Sequence, residues 1–225
     1  MDENFELKQQ NLLLVEGQDE VNFFGALLKH LNIESVQIVG VGGKDNFKPE
    51  LQALLNISGF NDVKSYAIIR DADRSKANTL KSIKGLLKKH KQPVPPDHAE
   101  TATANNLKVG IFIMPGNAAE GMLEDLCLQA VKNHTVLKCA DDYLACLETN
   151  LETLANGQEK EPGKQYFPKN RAKARMHSFL AGMHEYIPSV GEAAYKKEGY
   201  FDLTADAFKE LRDFLTYKMG WSGST

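Results

Sequence analysis

Carboxylates follow two apolar runs of the sequence, and their spacing is typical of a site for a divalent cation. The run "NLLLV" ends at Glu16, and the run "YAIIR" ends in a D-x-D pair, Asp71 and Asp73. Carboxylates gathered in a low-dielectric cleft repel one another, and a divalent cation removes that cost. Clustered oxygen ligands favour Mg²⁺ or Mn²⁺, which also bind phosphate oxygens. We therefore predict that the D-x-D pair holds Mg²⁺ or Mn²⁺, with Glu16 as a further ligand or proton-transfer group.

Each of these carboxylates also has a simpler explanation. Polar side chains at the junction of a strand and a helix often cap the helix. A cap or a solvated turn would explain Glu16 alone, and a cap of the next helix would explain Asp71 or Asp73 alone. Capping accounts for one acid at one junction, however, and the two motifs together favour the cation site.

The runs that precede these acids belong to an alternation of strands and helices over the first 135 residues. Short apolar, partly β-branched runs predict strands that are buried on both faces. Amphipathic patterns such as "DEVNFFGALLKHL" predict helices between them. This order predicts a mostly parallel four-stranded sheet flanked by helices, whose strands end at one ligand-binding edge. The four predicted strands lie in "NLLLVEG", "SVQIVGVGG", "VKSYAIIRDAD" and "LKVGIFIMPGN".

The strand runs stop after about residue 135, where three amphipathic helical patterns follow. We predict an α/β core over residues 1–135 and a helical C-terminal extension, residues 136–225, packed on that core. Segment 91–106 contains three prolines and is predicted to be a surface loop. The helix after the fourth strand is predicted to be capped by Asn117, with Glu120 three residues further on.

The composition sets broad limits on function. A net charge of −3 over 225 residues gives no global attraction to nucleic acid or to a membrane surface. No run approaches the roughly 20 apolar residues of a membrane helix, and the acidic start "MDENFELKQQ" is unlike a secretory signal. The three cysteines and six histidines form no C-x-x-C or H-x-x-x-H pair, so we predict a reduced cytoplasmic protein without a zinc site.

Both acidic motifs resemble the Toprim fold, which topoisomerases, bacterial primases, small maturation ribonucleases and OLD-type nucleases share. Its signature is a Glu-Gly after the first strand, here "LLLVEGQDE", and a D-x-D after the third, here "YAIIRDADRS". A closer likeness is to a Toprim-like family of domains of unknown function related to the OLD nucleases. That likeness lies in "VGGKDNF", "FIMPGNAAEGMLEDLCL" and "FPKNRAKARMHSFLA".

The resemblance implies roles for the acidic residues. Glu16 matches the Toprim glutamate, a general acid/base or metal ligand, and the D-x-D matches the metal-binding pair. Glu124, with Glu120 or Asp125 beside it, is similar to an extra acidic position of the OLD branch that helps to hold a second metal. The implied activity is Mg²⁺-dependent hydrolysis of phosphodiester bonds in nucleic acid, either DNA or RNA.

The chain departs from other Toprim enzymes at Ser75, where topoisomerases often carry the last acid of D-x-D-x-D. It shows neither the tyrosine module of topoisomerases nor the zinc module of primases. The same segment resembles the nucleophile strand of haloacid-dehalogenase-type phosphatases, D-x-D-x-[TV]. That strand normally comes first in its domain, and Glu16 would then have no role.

The glycine-rich loop "GVGGKDNF" provides a cation, Lys44, near the predicted sheet edge. It fails the nucleotide-binding pattern G-x-x-x-x-G-K-[ST] twice, because Ile38 and Asp45 stand where Gly and Ser or Thr are required. Lys44 is a candidate catalytic cation that contacts a phosphate, and a plain turn is the alternative.

Two basic clusters suggest where nucleic acid binds. Lysines at positions 81, 84, 88, 89 and 91 are expected to be a solvated helix face. Lys169, Arg171, Lys173 and Arg175 are the predicted phosphate-backbone contacts.

The resemblance also leaves a second function open. OLD nucleases carry an ATPase domain that this sequence lacks, so a separate ATPase subunit is an expected partner. The alternative to a nuclease is therefore a regulatory Toprim-like binding module that works with such an ATPase. No membrane partner is expected, and a homo-oligomer is left open.

Overall fold

One mostly parallel sheet organises the chain, which the computed structural model describes at residues 5–157, 168–196 and 200–223. The strand order is β2-β1-β3-β5-β4, and all neighbours pair in parallel except β4 and β5. The predicted α/β fold is confirmed, with one strand more than predicted. The strands are β1 (Asn11–Val15), β2 (Val36–Gly40), β3 (Ser65–Asp71), β4 (Glu100–Ala104) and β5 (Leu107–Met114).

Helices cover both faces of this sheet. In the described ranges, no helix is both long enough and apolar enough to cross a membrane. The α-helices are α1 (Gln18–His30), α2 (Phe47–Leu55), α3 (Lys76–Lys89), α4 (Leu123–Ala130), α5 (Thr135–Gly157), α6 (Arg171–Ala181), α7 (Val190–Ala193) and α8 (Lys209–Asp213). Short 3₁₀ turns lie at Lys44–Asn46, Phe60–Asp62 and Asp206–Phe208, and Phe214–Lys218 is π-helical.

Alternate side chains of the central strands enter two hydrophobic clusters, one on each face of the sheet. Along β1, Leu13 and Val15 belong to one cluster, and Leu12 and Leu14 belong to the other. Helices α1, α4, α6 and α7 contribute to the first cluster, and α2 and α3 contribute to the second. The central strands β1, β3 and β5 are mainly apolar because both of their faces are buried.

The C-terminal helices pack directly on the sheet. A Cβ at Gly110 of β5 would lie 2.4 Å from Sδ of Met219 and 2.8 Å from the ring of Phe214, so glycine permits this close approach. The indole N–H of Trp221 donates to Oγ of Ser65 at 2.8 Å, in the buried interior. Residues on both sides of position 135 therefore share one core, and a division into two units there stays a prediction.

The predicted loop over 91–106 is wrong for Glu100–Ala104, which forms the edge strand β4 antiparallel to β5. Asn105 and Asn106 join the two strands with φ of 51° and 63°. Two left-handed residues make the tight turn that suits a hairpin, and Asn tolerates this conformation. The strand "ETATA" lacks an apolar run, and its residues are partly or fully exposed.

The predicted start of α4 is also wrong. The helix begins at Leu123 rather than after Asn117, and Glu120 lies outside it. Its first turn is closed by Asp125, whose Oδ2 accepts a hydrogen bond from the N–H of Met122 at 2.9 Å. The carboxylate three residues into the helix thus caps it, which is a capping-box arrangement.

Candidate functional site

The carboxyl ends of neighbouring strands bring acidic segments to one edge of the sheet. The last pair of the β1–β3 ladder is Leu14 with Ile68, which places Glu16 level with Arg70. The β3–β5 ladder continues to Asp71. Parallel sheets bind ligands at this edge, and the predicted meeting of Glu16 with the D-x-D segment therefore follows from the strand order.

Glu16 binds the end of β3 and does not cap a helix. Its Oε1 accepts a hydrogen bond from Nε of Arg70 at 2.8 Å and one from the backbone N–H of Asp71 at 3.3 Å. The cap of α1 is instead provided by Glu20, whose Oε2 accepts from the N–H of Gly17 at 3.0 Å. The capping explanation for Glu16 is therefore wrong.

The carboxyl of Asp71 lies among other acids. Burial raises the pKa of Asp71 well above its usual range, and the negative charges of Glu16, Glu20 and Glu124 raise it further. The N–H of Leu123, which donates to Oδ1 at 3.0 Å, opposes this shift. Burial also raises the pKa of Glu20, with Glu16 and Glu124 adding to the effect. We call Glu16, Glu20, Asp71 and Glu124 the edge acids.

Asp73 has a different backbone conformation from Asp71. Its φ is 50°, and its N–H and C=O each form a 2.9 Å hydrogen bond with the backbone of Gly121. Strand β3 ends at Asp71, and a metal shared by the two aspartates stays a prediction. The cap of α3 is Ser75, whose Oγ accepts from the N–H of Asn78 at 3.2 Å. Neither aspartate is thus the cap of that helix.

Glu124 is a buried carboxylate at the start of α4. The residue is 7% exposed, and Nζ of Lys173 lies 3.6 Å from its Oε1. The side chain of Lys173 is 56% exposed. This predicted nucleic-acid contact therefore has its ammonium group beside the edge acids.

Asp125 and Asp71 accept hydrogen bonds from adjacent backbone N–H groups, those of Met122 and Leu123. Burial raises the pKa of Asp125, and Glu120 adds to this, whereas the N–H of Met122 and the charge of Arg175 oppose it. The predicted role of Glu120 and Asp125 as metal ligands stays a prediction.

The other predicted phosphate contacts flank or belong to α6. Arg171 and Arg175 form ion pairs with Glu148 and Asp141 of α5, with the Nη2–Oδ2 distance from Arg175 to Asp141 being 2.7 Å. Lys169, just before the helix, is exposed. These pairs join α5 to α6, and a role in nucleic-acid binding stays a prediction.

The glycine-rich loop reaches the edge through its backbone. The N–H of Gly43 donates to the carbonyl oxygen of Glu16 at 2.7 Å, and Nδ2 of Asn46 donates to the carbonyl of Gly42 at 2.8 Å. The side chain of Lys44 lies outside the described part of the chain, so its predicted contact with a phosphate stays a prediction.

Glu20 is the site residue that the sequence analysis missed. It belongs to the quoted motif "LLLVEGQDE", and its position at the third residue of α1 indicated a capping carboxylate. Because α1 starts directly after β1, that cap also lies at the sheet edge. The signal in the sequence was the second Glu of the motif, which lies four residues after Glu16 in the first turn of α1.

The edge acids fit a divalent cation by their chemistry. Carboxylate oxygens are the ligands that Mg²⁺ and Mn²⁺ prefer, and a cation would offset the mutual repulsion that raises the pKa of Asp71. Across residues 5–157, 168–196 and 200–223, no three His, Cys, Asp or Glu side chains stand together in a metal-binding arrangement. Coordination by several edge acids thus requires their side chains to rotate.

Comparisons with known proteins add a family and similar solved structures. Residues 10–219 match the family described as "Protein of unknown function (DUF3226)". No curated protein matches the sequence. The C-terminal region of the Xanthomonas campestris pv. campestris OLD protein, phased with mercury, is 16% identical, with a TM-score of 0.46 over 96% of this chain and 98% of that one. The same region phased with platinum is 18% identical, with a TM-score of 0.48 over 94% of each chain.

Proposed function

Since the chain belongs to the DUF3226 family of proteins of unknown function, we propose a function from its site: Mg²⁺- or Mn²⁺-dependent hydrolysis of phosphodiester bonds in nucleic acid. The observation that carries the proposal is the carboxyl of Asp71, which lies where neighbouring parallel strands end and whose pKa is raised by desolvation and by three other acids. The sequence resemblance to Toprim nucleases supports the same activity.

The edge acids divide into ligands and a positioned carboxylate. Asp71, Glu20 and Glu124 would hold the cation, because their charges act on one another across the edge. When bound, the ion would polarise the scissile phosphate and stabilise charge on the attacking or leaving oxygen. Glu16 would complete the coordination or move a proton, with its orientation fixed by the two hydrogen bonds at Oε1.

Two cations support these acids. Arg70 orients Glu16, and its guanidinium lies over the ring of Phe47, 5.1 Å from the centroid, so the arginine is itself held in place. Lys173 presents a half-exposed ammonium beside Glu124 and would bind a phosphate oxygen of the substrate.

The experiment is a plasmid-nicking assay with Mg²⁺ or Mn²⁺. It compares two Asp→Asn variants, one at the end of β3 and one just before its start. Asp71→Asn should abolish nicking, because it removes a central negative charge while keeping an acceptor for the N–H of Leu123. Asp62→Asn is the matched control, since Asp62 is exposed and precedes the opposite end of β3. Nicking that survives in folded Asp71→Asn protein would refute the proposal.

A regulatory binding module is the second candidate, and one observation favours it. Two edge acids already have a protein cation as partner: Glu16 pairs with Arg70 and Glu124 with Lys173. A site neutralised in this way can be stable without a metal and can serve a partner ATPase as a docking element. Calorimetric titration with Mn²⁺ separates the two candidates, because the module predicts no binding at millimolar concentration.

A further inference from the structure

Helix α3 has a surface of one charge sign. Its 14 residues, "KANTLKSIKGLLKK", include five lysines and no Asp or Glu, and Lys91 follows two positions after the helix. The chain as a whole has a net charge of −3, so this is a local concentration of positive charge. We define the lysine face by its exposed members, Lys81, Lys88, Lys89 and Lys91.

Within the described part of the chain, the lysine face is not neutralised by ion pairs. No member forms an ion pair with any residue of the described ranges. Ile83 and Leu87, on the opposite side of the helix, are fully buried against the sheet, which holds the lysines toward solvent. Like charges at helical spacing destabilise one another, and an anionic partner relieves that repulsion.

Gly85 lies in the middle of this exposed surface, and no neighbouring atom requires a glycine there. A Cβ added at Gly85 would meet no atom within 4 Å, so the site has room for a side chain. Glycine inside a helix lowers its stability relative to alanine. A residue without a side chain allows the backbone of a partner to approach the helix closely.

The position of α3 connects this surface to the candidate site. The helix begins three residues after Asp73 and therefore starts at the edge where β3 ends. From Lys81 to Lys89 the axis advances about 12 Å at 1.5 Å per residue. That length matches three to four base steps at about 3.4 Å each along one strand of DNA.

We propose that the lysine face of α3 binds the phosphate backbone of the nucleic acid whose cleavage is proposed above, with Gly85 allowing close approach. The edge acids repel a phosphodiester, so the attraction that holds the substrate has to come from cations outside them. The lysine face forms no ion pair with the described residues and lies on the helix that starts at this edge. The inference rests on the proposed function, and it concerns binding rather than chemistry.

The test is the binding of fluorescein-labelled duplex DNA, measured by fluorescence anisotropy over a range of salt concentrations in buffer with EDTA. The variant Lys81→Gln, Lys88→Gln, Lys89→Gln should bind at least tenfold more weakly at low salt. The slope of the logarithm of its binding constant against the logarithm of the salt concentration should be less steep by about 2.7, at roughly 0.9 per lost phosphate contact. The control Lys196→Gln, Lys209→Gln, Lys218→Gln removes three ion-paired lysines elsewhere and should bind as the wild type does.

Equal affinity and salt dependence in the wild type and the α3 variant would overturn the proposal, as would binding of phosphatidylserine vesicles without binding of DNA. Gly85→Ala should weaken DNA binding by a few-fold although it favours the helix, and unchanged affinity would refute the role of Gly85. Asp71→Asn should still bind DNA in this assay. Failure of the lysine face is thus distinguishable from failure of the proposed chemistry, which the nicking assay reports.

Discussion

Helices α3 and α6 are both basic, but their charges have opposite surroundings. The cations of α6 pair with acids of α4 and α5, including the buried Glu124. The exposed lysines of α3 form no ion pair with the described residues. A run of cations in a sequence therefore does not show whether those side chains form ion pairs with acids in the folded protein. The ion pairs of Arg171 and Arg175 join α6 to α5, whereas the exposed lysines of α3 are available to a ligand. The edge acids are intermediate, because Glu16 and Glu124 pair with Arg70 and Lys173.

The largest expected effect is on the kinetics of nicking, where substitution of Lys173 and substitution of the lysine face should change different constants. Lys173→Gln should lower kcat about hundredfold, because it removes a cation beside the edge acids where charge develops. The triple Gln variant of α3 should instead raise KM with kcat nearly unchanged, since it removes uniform binding. Steady-state kinetics on both variants check this. Equal effects on kcat would show that the two helices do not differ in role.

The next prediction concerns how the free energy of unfolding changes with pH through the carboxyl of Asp71. Because the pKa of Asp71 is raised in the folded state, ionisation of its carboxyl opposes folding. Below its usual pKa of about 3.9, the carboxyl is protonated in both folded and unfolded chains. As the pH rises from there through the raised folded value, the wild type loses this stability and Asp71→Asn does not.

Asp71→Asn should therefore be more stable than the wild type at pH 7. The difference should vanish near pH 4. Urea unfolding at several pH values without added metal measures it. A wild type that is the more stable protein at pH 7 would contradict the repulsion among the edge acids.

A smaller effect of opposite sign is expected at the cap of α4. Asp125→Ala removes the acceptor for the N–H of Met122 and should cost about 1 kcal/mol of unfolding free energy. Asp125→Asn keeps an acceptor and should lose less. Chemical denaturation of the two variants tests this, and a stabilised Asp125→Ala would contradict the capping role of Asp125.

The smallest effect is expected from the partly exposed pair of Arg175 and Asp141, which joins α6 to α5. Such pairs contribute about 0–1 kcal/mol. A double-mutant cycle with Arg175→Met and Asp141→Asn measures their coupling free energy. A coupling well above that range would mean that α6 depends on its ion pairs more than its exposure suggests.

The sequence predicted which acids meet at the sheet edge better than it predicted the contacts of the surface residues. Glu16 and Asp71 follow strands that proved to be neighbours, so the parallel pattern was enough to bring them together. Glu20 was missed because its capping role concealed its position at the same edge. The strand β4 was missed because its sequence, "ETATA", carries no apolar run.

Surface roles depended on partners that are distant in the sequence. Arg175 is neutralised by Asp141, 34 residues earlier, and no local pattern indicates that contact. The start of α4 was predicted too early, because Asn117 was taken as its cap and the helix begins at Leu123.

Calorimetric titration with Mn²⁺ tests the central claim most directly, namely that the edge acids form a divalent-cation site. Wild-type protein should bind Mn²⁺ with a Kd at or below the millimolar range, Asp71→Asn should bind at least tenfold more weakly, and Asp62→Asn should match the wild type. Absence of binding to the wild type at millimolar Mn²⁺, or equal binding by Asp71→Asn, would contradict the account.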